Sequence, residues 1–502
     1  MRRRRGCHWG ALLFLVVPGL LSAQQIAVGE YVVPVTNGAG WGITTGADGA
    51  LWFSLEYEAK IGRITTAGTF TLYSIPPIGS KTSSPEGIAA GPDGALWFAD
   101  AGLNQIGRIT TAGVITGYPV PTGNSGVTGI TRGPDGALWF TERSANQIGR
   151  ITTAGVITEY SVPTADSQPQ DITGGADGAL WFAEYTGGHI GKITTSGLVT
   201  EYLVPTPNAI LWSITAGPDG ALWFGDMTYL TPKIGRITAA GAITEYALSD
   251  PTSVPFGITT GPDGALWFGD DRYPNPQIGR ITTSGAITEY PMAPYSDFPF
   301  YFVTGPGGEM WFTDDARMIG EMVFVTADLA VSPPSGGVGN PLAFTGNGFA
   351  PNEGVQIYLA GIGSPVLASA TADSGGAFTA AAKVPQSPFG PRIFLGLGQT
   401  SGRLGAASFS VEARVLISPN AGAPGDTVVV SGAGFEPYYR IKFCWDSLQT
   451  QLGSIVSDAH GTFSRSNAFR FNVPANAAPG EHVVIVSGGE PSSPLRIPFT
   501  VD

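Results

Sequence analysis

Charge is scarce in this chain of 502 residues, with 13% of the side chains charged. That is little for helices laced with ion pairs, and 43% hydrophobic and 11% aromatic content argues against disorder. Basic residues are the scarcer sign, 26 Lys and Arg against 39 Asp and Glu, net −13. Nucleic acid and anionic membranes are therefore poor partners. Only two cysteines occur, Cys7 and Cys444, which rules out a disulfide framework and a thiolate metal cluster. Long apolar runs are missing too. The run from Ala11 to Leu21 is half of the roughly 20 residues a membrane-spanning helix needs, so no transmembrane segment is expected. Histidine is almost absent beyond the N-terminus: His189, His460 and His482.

The chain is rich in turn formers, 72 Gly and 40 Pro, as suits a turn-rich all-β protein. Arg2 to Arg5, the apolar run and Leu21-Ser22-Ala23 read as a secretory leader over residues 1–23, predicting a secreted, extracellular or periplasmic protein. Its removal takes four arginines and Cys7, leaving the chain still more acidic.

An internal phrase, Ala-Leu-Trp-Phe or a near variant, recurs with its Trp at 52, 97, 139, 181, 223, 267 and 311. A period in the low forties with several short strands per unit is the signature of propeller blades. In one unit, Gly129-Ile130-Thr131 reads as a strand and Gly133-Pro134-Asp135-Gly136 as a turn. Ala137-Leu138-Trp139-Phe140 reads as a strand buried on both faces. Gln147 to Thr152 and Ile157 to Val162 are the third and fourth, outermost strands. The seventh unit lacks an Ile-Thr-Glu-Tyr segment, and Ile26 to Pro34 resembles the missing outer strand. Residues 24–326 are thus expected to form a seven-bladed propeller whose last blade is closed by the N-terminal strand, leaving no open edge.

A second repeat follows. Ile417-Ser418-Pro419 and Val430 to Pro437 echo Val331-Ser332-Pro333 and Phe344 to Pro351. Each unit has the size of an immunoglobulin-like sandwich. Residues 327–412 and 413–502 are read as two such modules that space the propeller or attach it to a cell-envelope partner, with the protein a monomer.

Gly-Pro-Asp-Gly-Ala-Leu-Trp-Phe, followed by Ile-Gly-Arg-Ile-Thr and Ile-Thr-Glu-Tyr, resembles the virginiamycin B lyase (streptogramin B lyase) family of seven-bladed propellers over residues 26–322. The resemblance implies an Mg-dependent elimination at the ester of a cyclic depsipeptide. Such chemistry needs a base for a carbon-bound proton and a cation to polarise the carbonyl. In the family, histidines just before the Gly-Ile strand on adjacent blades serve as base and acid, with glutamates nearby. Those seven positions here are Trp41, Glu86, Thr128, Gln170, Trp212, Phe256 and Phe300. No register around the ring places a histidine. Alignment by chain ends puts Phe256 and Phe300 at the histidine positions, with Phe298 and Asp315 at the glutamate ones.

Two readings of this ring stay open: aromatic packing that plugs the channel, or a stacking-capable mouth for a sugar, peptide or other small molecule, with Glu86 and Gln170 as polar contacts. A second set is the acid after each Trp-Phe: Asp100, Glu142, Glu184, Asp226, Asp270 and Asp314, with Glu56 displaced by one. Such regular acids suit bonds to backbone amides or to basic side chains, with the Arg of Ile-Gly-Arg-Ile-Thr as a candidate partner. Asp270, Asp314 and Asp315 are the metal-ligand candidates and Asp315 the weak catalytic one. His189 reads as a solvated loop residue. The expected function is a non-catalytic extracellular ligand-binding or scaffold protein. The alternative is a carbon-oxygen lyase, or a metal-dependent lactone- or ester-cleaving enzyme, working through carboxylates.

Overall fold

The computed structural model describes residues 25–35, 40–272, 275–292, 298–314, 318–359, 365–387, 389–435, 438–458, 460–464, 467–488 and 494–502. The expected leader and Asp315 lie outside them. Contacts divide the chain into two compact units, one holding Val35–Val323 and the other Gln24–Pro34 with Phe324–Asp502.

Seven four-stranded sheets carry the Trp repeat. In blade three the strands Val127–Arg132, Leu138–Glu142, Gln147–Ile151 and Ile157–Ser161 pair antiparallel in chain order. The second strand is buried at every position in each of the seven blades. The reason is packing between blades: Trp181 joins one cluster with Leu222 and Phe224 of the following blade, as Trp52 does with Leu96 and Phe98. Gly149 makes room for this strand, since a Cβ there would stand 2.1 Å from the Phe140 ring.

The inner strands stand side by side around an axis, and Gly40–Thr45 of blade one meets Pro299–Thr304 of blade seven. Two bonds join these blades: Thr313 Oγ1 donates to Trp41 O at 2.8 Å and Thr45 Oγ1 to Thr304 O at 2.9 Å. The seventh sheet has the order Gln25–Val32, Met318–Val325, Met310–Asp314, Pro299–Thr304, so the N-terminal strand is its outer strand, as expected.

The turn aspartate organises each blade. In blades one to six its Oδ1 accepts the tryptophan indole N–H at 2.9–3.1 Å. Its Oδ2 takes the cation of the third strand at 2.7 Å in every case, from Arg63–Asp48 to Arg280–Asp263. The repeated arginine therefore pairs with the turn, not with the acid after Trp-Phe. That acid lies at the opposite end of the second strand, out of its reach.

In the second unit, residues 327–412 form one connected sheet of eight strands, with Ser335–Gly337 paired to Leu404–Glu412. Its end strands Val366–Thr371 and Phe378–Lys383 lie side by side, so the sheet nearly closes around Phe344, Val355, Phe394 and Phe409 instead of splitting into two separate layers. Residues 413–502 form a three-stranded and a five-stranded sheet that share one core, with Val430 and Phe471 from the first and Phe443, Val484 and Phe499 from the second. Gln25–Val32 lies against Gly390–Gly398, where buried Arg392 donates to Glu30 O at 2.9 Å. Among the described residues no helix is long and apolar enough to cross a membrane.

Candidate ligand site at the propeller mouth

Every inner strand breaks register where it meets the second strand, between Val127 and Ile130 in blade three and at the equivalent place in the other six. A bulge re-aims a side chain, and the re-aimed residues are the seven ring positions. Each follows directly the residue that faces the second strand's last position, as Val127 faces Glu142 and Pro255 faces Asp270. Ring and acids thus occupy the same end of the blades.

The ring is two-sided. Blades five, six, seven and one supply Trp212, Phe256, Phe300 and Trp41 in succession. Their rings pack at 5.5 Å (Trp212–Phe256), 5.0 Å (Phe256–Phe300) and 5.0 Å (Trp41–Phe300). Phe298 stacks on Phe256 at 4.9 Å and Tyr185 meets Trp212 at 5.8 Å. Blades two, three and four supply Glu86, Thr128 and Gln170. Thr128 is structural, its hydroxyl bonded to Gln170 O at 2.8 Å and Thr141 Oγ1 at 2.7 Å. Gln170 is buried and its Oε1 has no partner among the described residues. Burial pushes Glu86 up to about 8, helped by Glu56 and opposed by Arg143. Arg143 lies 4.5 Å over Tyr185 and donates to Gln168 Oε1 at 3.2 Å.

One residue further on, four blades carry glycine and three do not. Gly42, Gly87, Gly129 and Gly257 let adjacent inner strands approach, and a Cβ at Gly257 would stand 2.3 Å from Phe300 O. Asp171, Ser213 and Tyr301 take the remaining places. Asp171 accepts the amides of Ile172 at 2.9 Å and Ile214 at 3.1 Å, and its burial lifts it to about 6. Burial, with the carboxyls of Asp171 and Glu86, raises Tyr301 well above a normal phenol. A cavity of about 110 Å3 opens here, lined by Trp41, Gln170, Asp171 and Tyr301 together with the glycine strands. Sequence reading overlooked Asp171, Ser213 and Tyr301. The signal was present as the interrupted glycine in the Gly-Ile phrase.

The six acids that stand two residues after Trp-Phe are buried within the blades, and Glu56 is half-buried. Asp100 accepts Ser84 N, Leu103 N and Gln105 Nε2 at 3.0–3.1 Å. Asp270 accepts Val254 N at 2.7 Å and Ser253 Oγ at 2.8 Å, with Arg272 at 3.7 Å. Asp314 accepts Met318 N at 2.8 Å. Burial pushes Glu142 up to about 8 and Glu184 to about 9, with Glu159 and Glu201 as the neighbouring carboxyls that add to it. His189 is not a solvated loop residue: it opens the strand His189–Ile193, half-buried, with Nδ1 3.6 Å from Glu184 Oε2. Among the described residues no three His, Cys, Asp or Glu side chains come together to hold a metal. The donors turned toward Asp270 are an amide, a hydroxyl and a guanidinium, and Asp314 accepts an amide, so a divalent cation would have to displace them. These two carboxylates therefore do not fit Mg.

The model of the virginiamycin B lyase family matches residues 21–131 and 118–330. The chain belongs to this family. Virginiamycin B lyase from Staphylococcus aureus is 37% identical with TM-score 0.56, the match covering 60% of this chain and 100% of that one. A catalytically inactive histidine-to-alanine variant of the S. aureus lyase with quinupristin gives the same figures. A streptogramin B lyase structure is 35% identical, TM-score 0.56, over 60% of this chain and 98% of its own. No curated protein matches. Against the virginiamycin B lyase family, the positions to which resemblance assigns the two histidines are here the packed rings of Phe256 and Phe300.

Proposed function

We propose that this member of the virginiamycin B lyase family is an extracellular ligand-binding protein that has lost the elimination chemistry. The observation that carries the reading is the Phe256–Phe300 contact at 5.0 Å. Where a base and an acid are required, two hydrocarbon rings pack and no proton can move. The leader over residues 1–23 directs export, and the two C-terminal β-domains act as spacers or as attachment to a cell-envelope partner. Assaying the protein with streptogramin B and Mg tests the lost chemistry. Ring opening at the rate of the buffer control is expected, and turnover overturns the reading.

One observation favours a second reading, carboxylate-based cleavage of an ester or lactone. Glu86 at the mouth, pushed up to about 8, is poised near neutrality as a general base must be. Turnover lost in Glu86→Gln would establish it.

A further inference from the structure

We propose, building on the ligand-binding reading, that the axial cavity beside Asp171 receives an ammonium group, so that the ligand class is amines and their N-methylated forms. The wall offers acceptors and π faces. Gln170 is 2% exposed and its Oε1 is without a partner among the described residues. Asp171, whose two oxygens accept the amides of Ile172 and Ile214, lines the same cavity with Trp41, Tyr301, Thr128 and the Gly-Ile pairs of blades one to three. None of the lining residues is basic, and Arg143, the cation that bears on Glu86, is held outside by Gln168 and Tyr185. An anion would meet a carboxylate with no basic side chain beside it. A cation finds a carboxylate and two aromatic side chains, the combination that recognises ammonium ligands.

The site is built by departures from the repeat. Asp171 and Tyr301 stand where blades one, two, three and six have glycine, and the glycines of blades one to three leave the space. Burial opposes charge on Asp171 and Glu86, and a bound cation relieves it. The blade-five loop leaves the mouth end of its second strand, where Met227 N bonds Ile210 O at 2.9 Å. It exposes Tyr229 at 81% and Leu230 at 55%.

Titrating the full-length protein with tetramethylammonium chloride, at ionic strength held with sodium chloride and with tert-butanol as the uncharged control, tests the proposal by tryptophan fluorescence and ligand NMR. A saturable response to the ammonium alone is expected. Asp171→Asn should weaken it at least tenfold, and Gln170→Glu, which adds a charge to the same wall, should tighten it several-fold, with melting curves confirming that both variants fold. Equal response to tert-butanol, or indifference to both substitutions, overturns the ammonium inference and leaves a ligand-binding mouth. Silence toward ammonium, tert-butanol and panels of sugars and peptides overturns the mouth reading as well.

Discussion

Each turn aspartate in blades one to six holds three partners at once, the indole, the third-strand cation and the backbone amide two residues on, and the indole bond is the one that matters most for stability. The ion pairs are partly exposed, 24% and 18% for Arg150 and Asp135, and exposed pairs contribute little. The indole belongs to a tryptophan with no exposed surface, so losing its acceptor leaves a buried donor unpaired, at a cost of about 1–3 kcal/mol. Asp135→Ala should therefore destabilise by that amount in urea unfolding while Arg150→Ala changes little, and equal effects would show that the ion pair dominates. Glu142 and Glu184 contribute to the pH dependence, alongside Glu86 and Asp171, which burial also raises. Glu142 and Glu184 have folded-state values above the ordinary carboxyl, about 8 and about 9. The unfolded chain therefore binds fewer protons between roughly pH 4.5 and those values, and stability falls as pH rises through that window. The urea midpoint should decline from pH 5 to pH 9, and Glu142→Gln with Glu184→Gln should flatten the decline. An unchanged slope in the double variant would contradict it. This scale was the least legible in the sequence. Two acids per repeat compete for one arginine, and strand register alone shows that the arginine opposite Trp139 reaches Asp135 and not Glu142.

At the scale of the element, the repeat phrases translate directly into strands because each has one physical task. The all-apolar Leu-Trp-Phe strand is buried on both faces, the Ile-Gly-Arg-Ile strand alternates, and the glycine within it admits the Phe140 ring. Gly149→Ala forces a methyl into that ring and should cost about 1–3 kcal/mol by overpacking, read as a lowered urea midpoint with unchanged slope. Full retention of the midpoint would show that the blade yields. The missing outer strand of blade seven was legible because its count was one short and the N-terminal phrase matched. Deleting residues 24–35 removes the outer strand of the seventh sheet and exposes Met318–Val325 as an edge, which invites association. A lower melting temperature and soluble oligomers by light scattering are expected, and an unchanged monomer would contradict ring closure by that strand. Residues 327–412 were read less well. Alternation predicts strands but not how many hydrogen-bonded neighbours each has, and so could not separate a sandwich from a sheet that nearly closes on itself.

Across the whole molecule, sevenfold repetition builds the scaffold and departures from it build the site. The aromatic arc from Trp212 to Trp41 and the polar arc from Glu86 to Gln170 could be listed from the chain, yet their packing distances and the cavity at Asp171 exist only once the inner strands stand around one axis. Family membership supplies the expectation of an elimination that needs a proton acceptor at neutral pH. An imidazole begins there, while a carboxyl must be raised by about two units or more. Phe256 and Phe300 supply neither, and Glu86 alone has such a shift at the ring. The central claim is that the mouth binds without this chemistry. Its most direct test is to incubate purified full-length protein with streptogramin B and Mg and follow ring opening by mass spectrometry, with Glu86→Gln alongside. The account predicts that both proteins leave the cyclic depsipeptide intact at the rate of the buffer control. Linearisation by the unmodified chain that disappears in Glu86→Gln would contradict it and establish a carboxylate-based lyase.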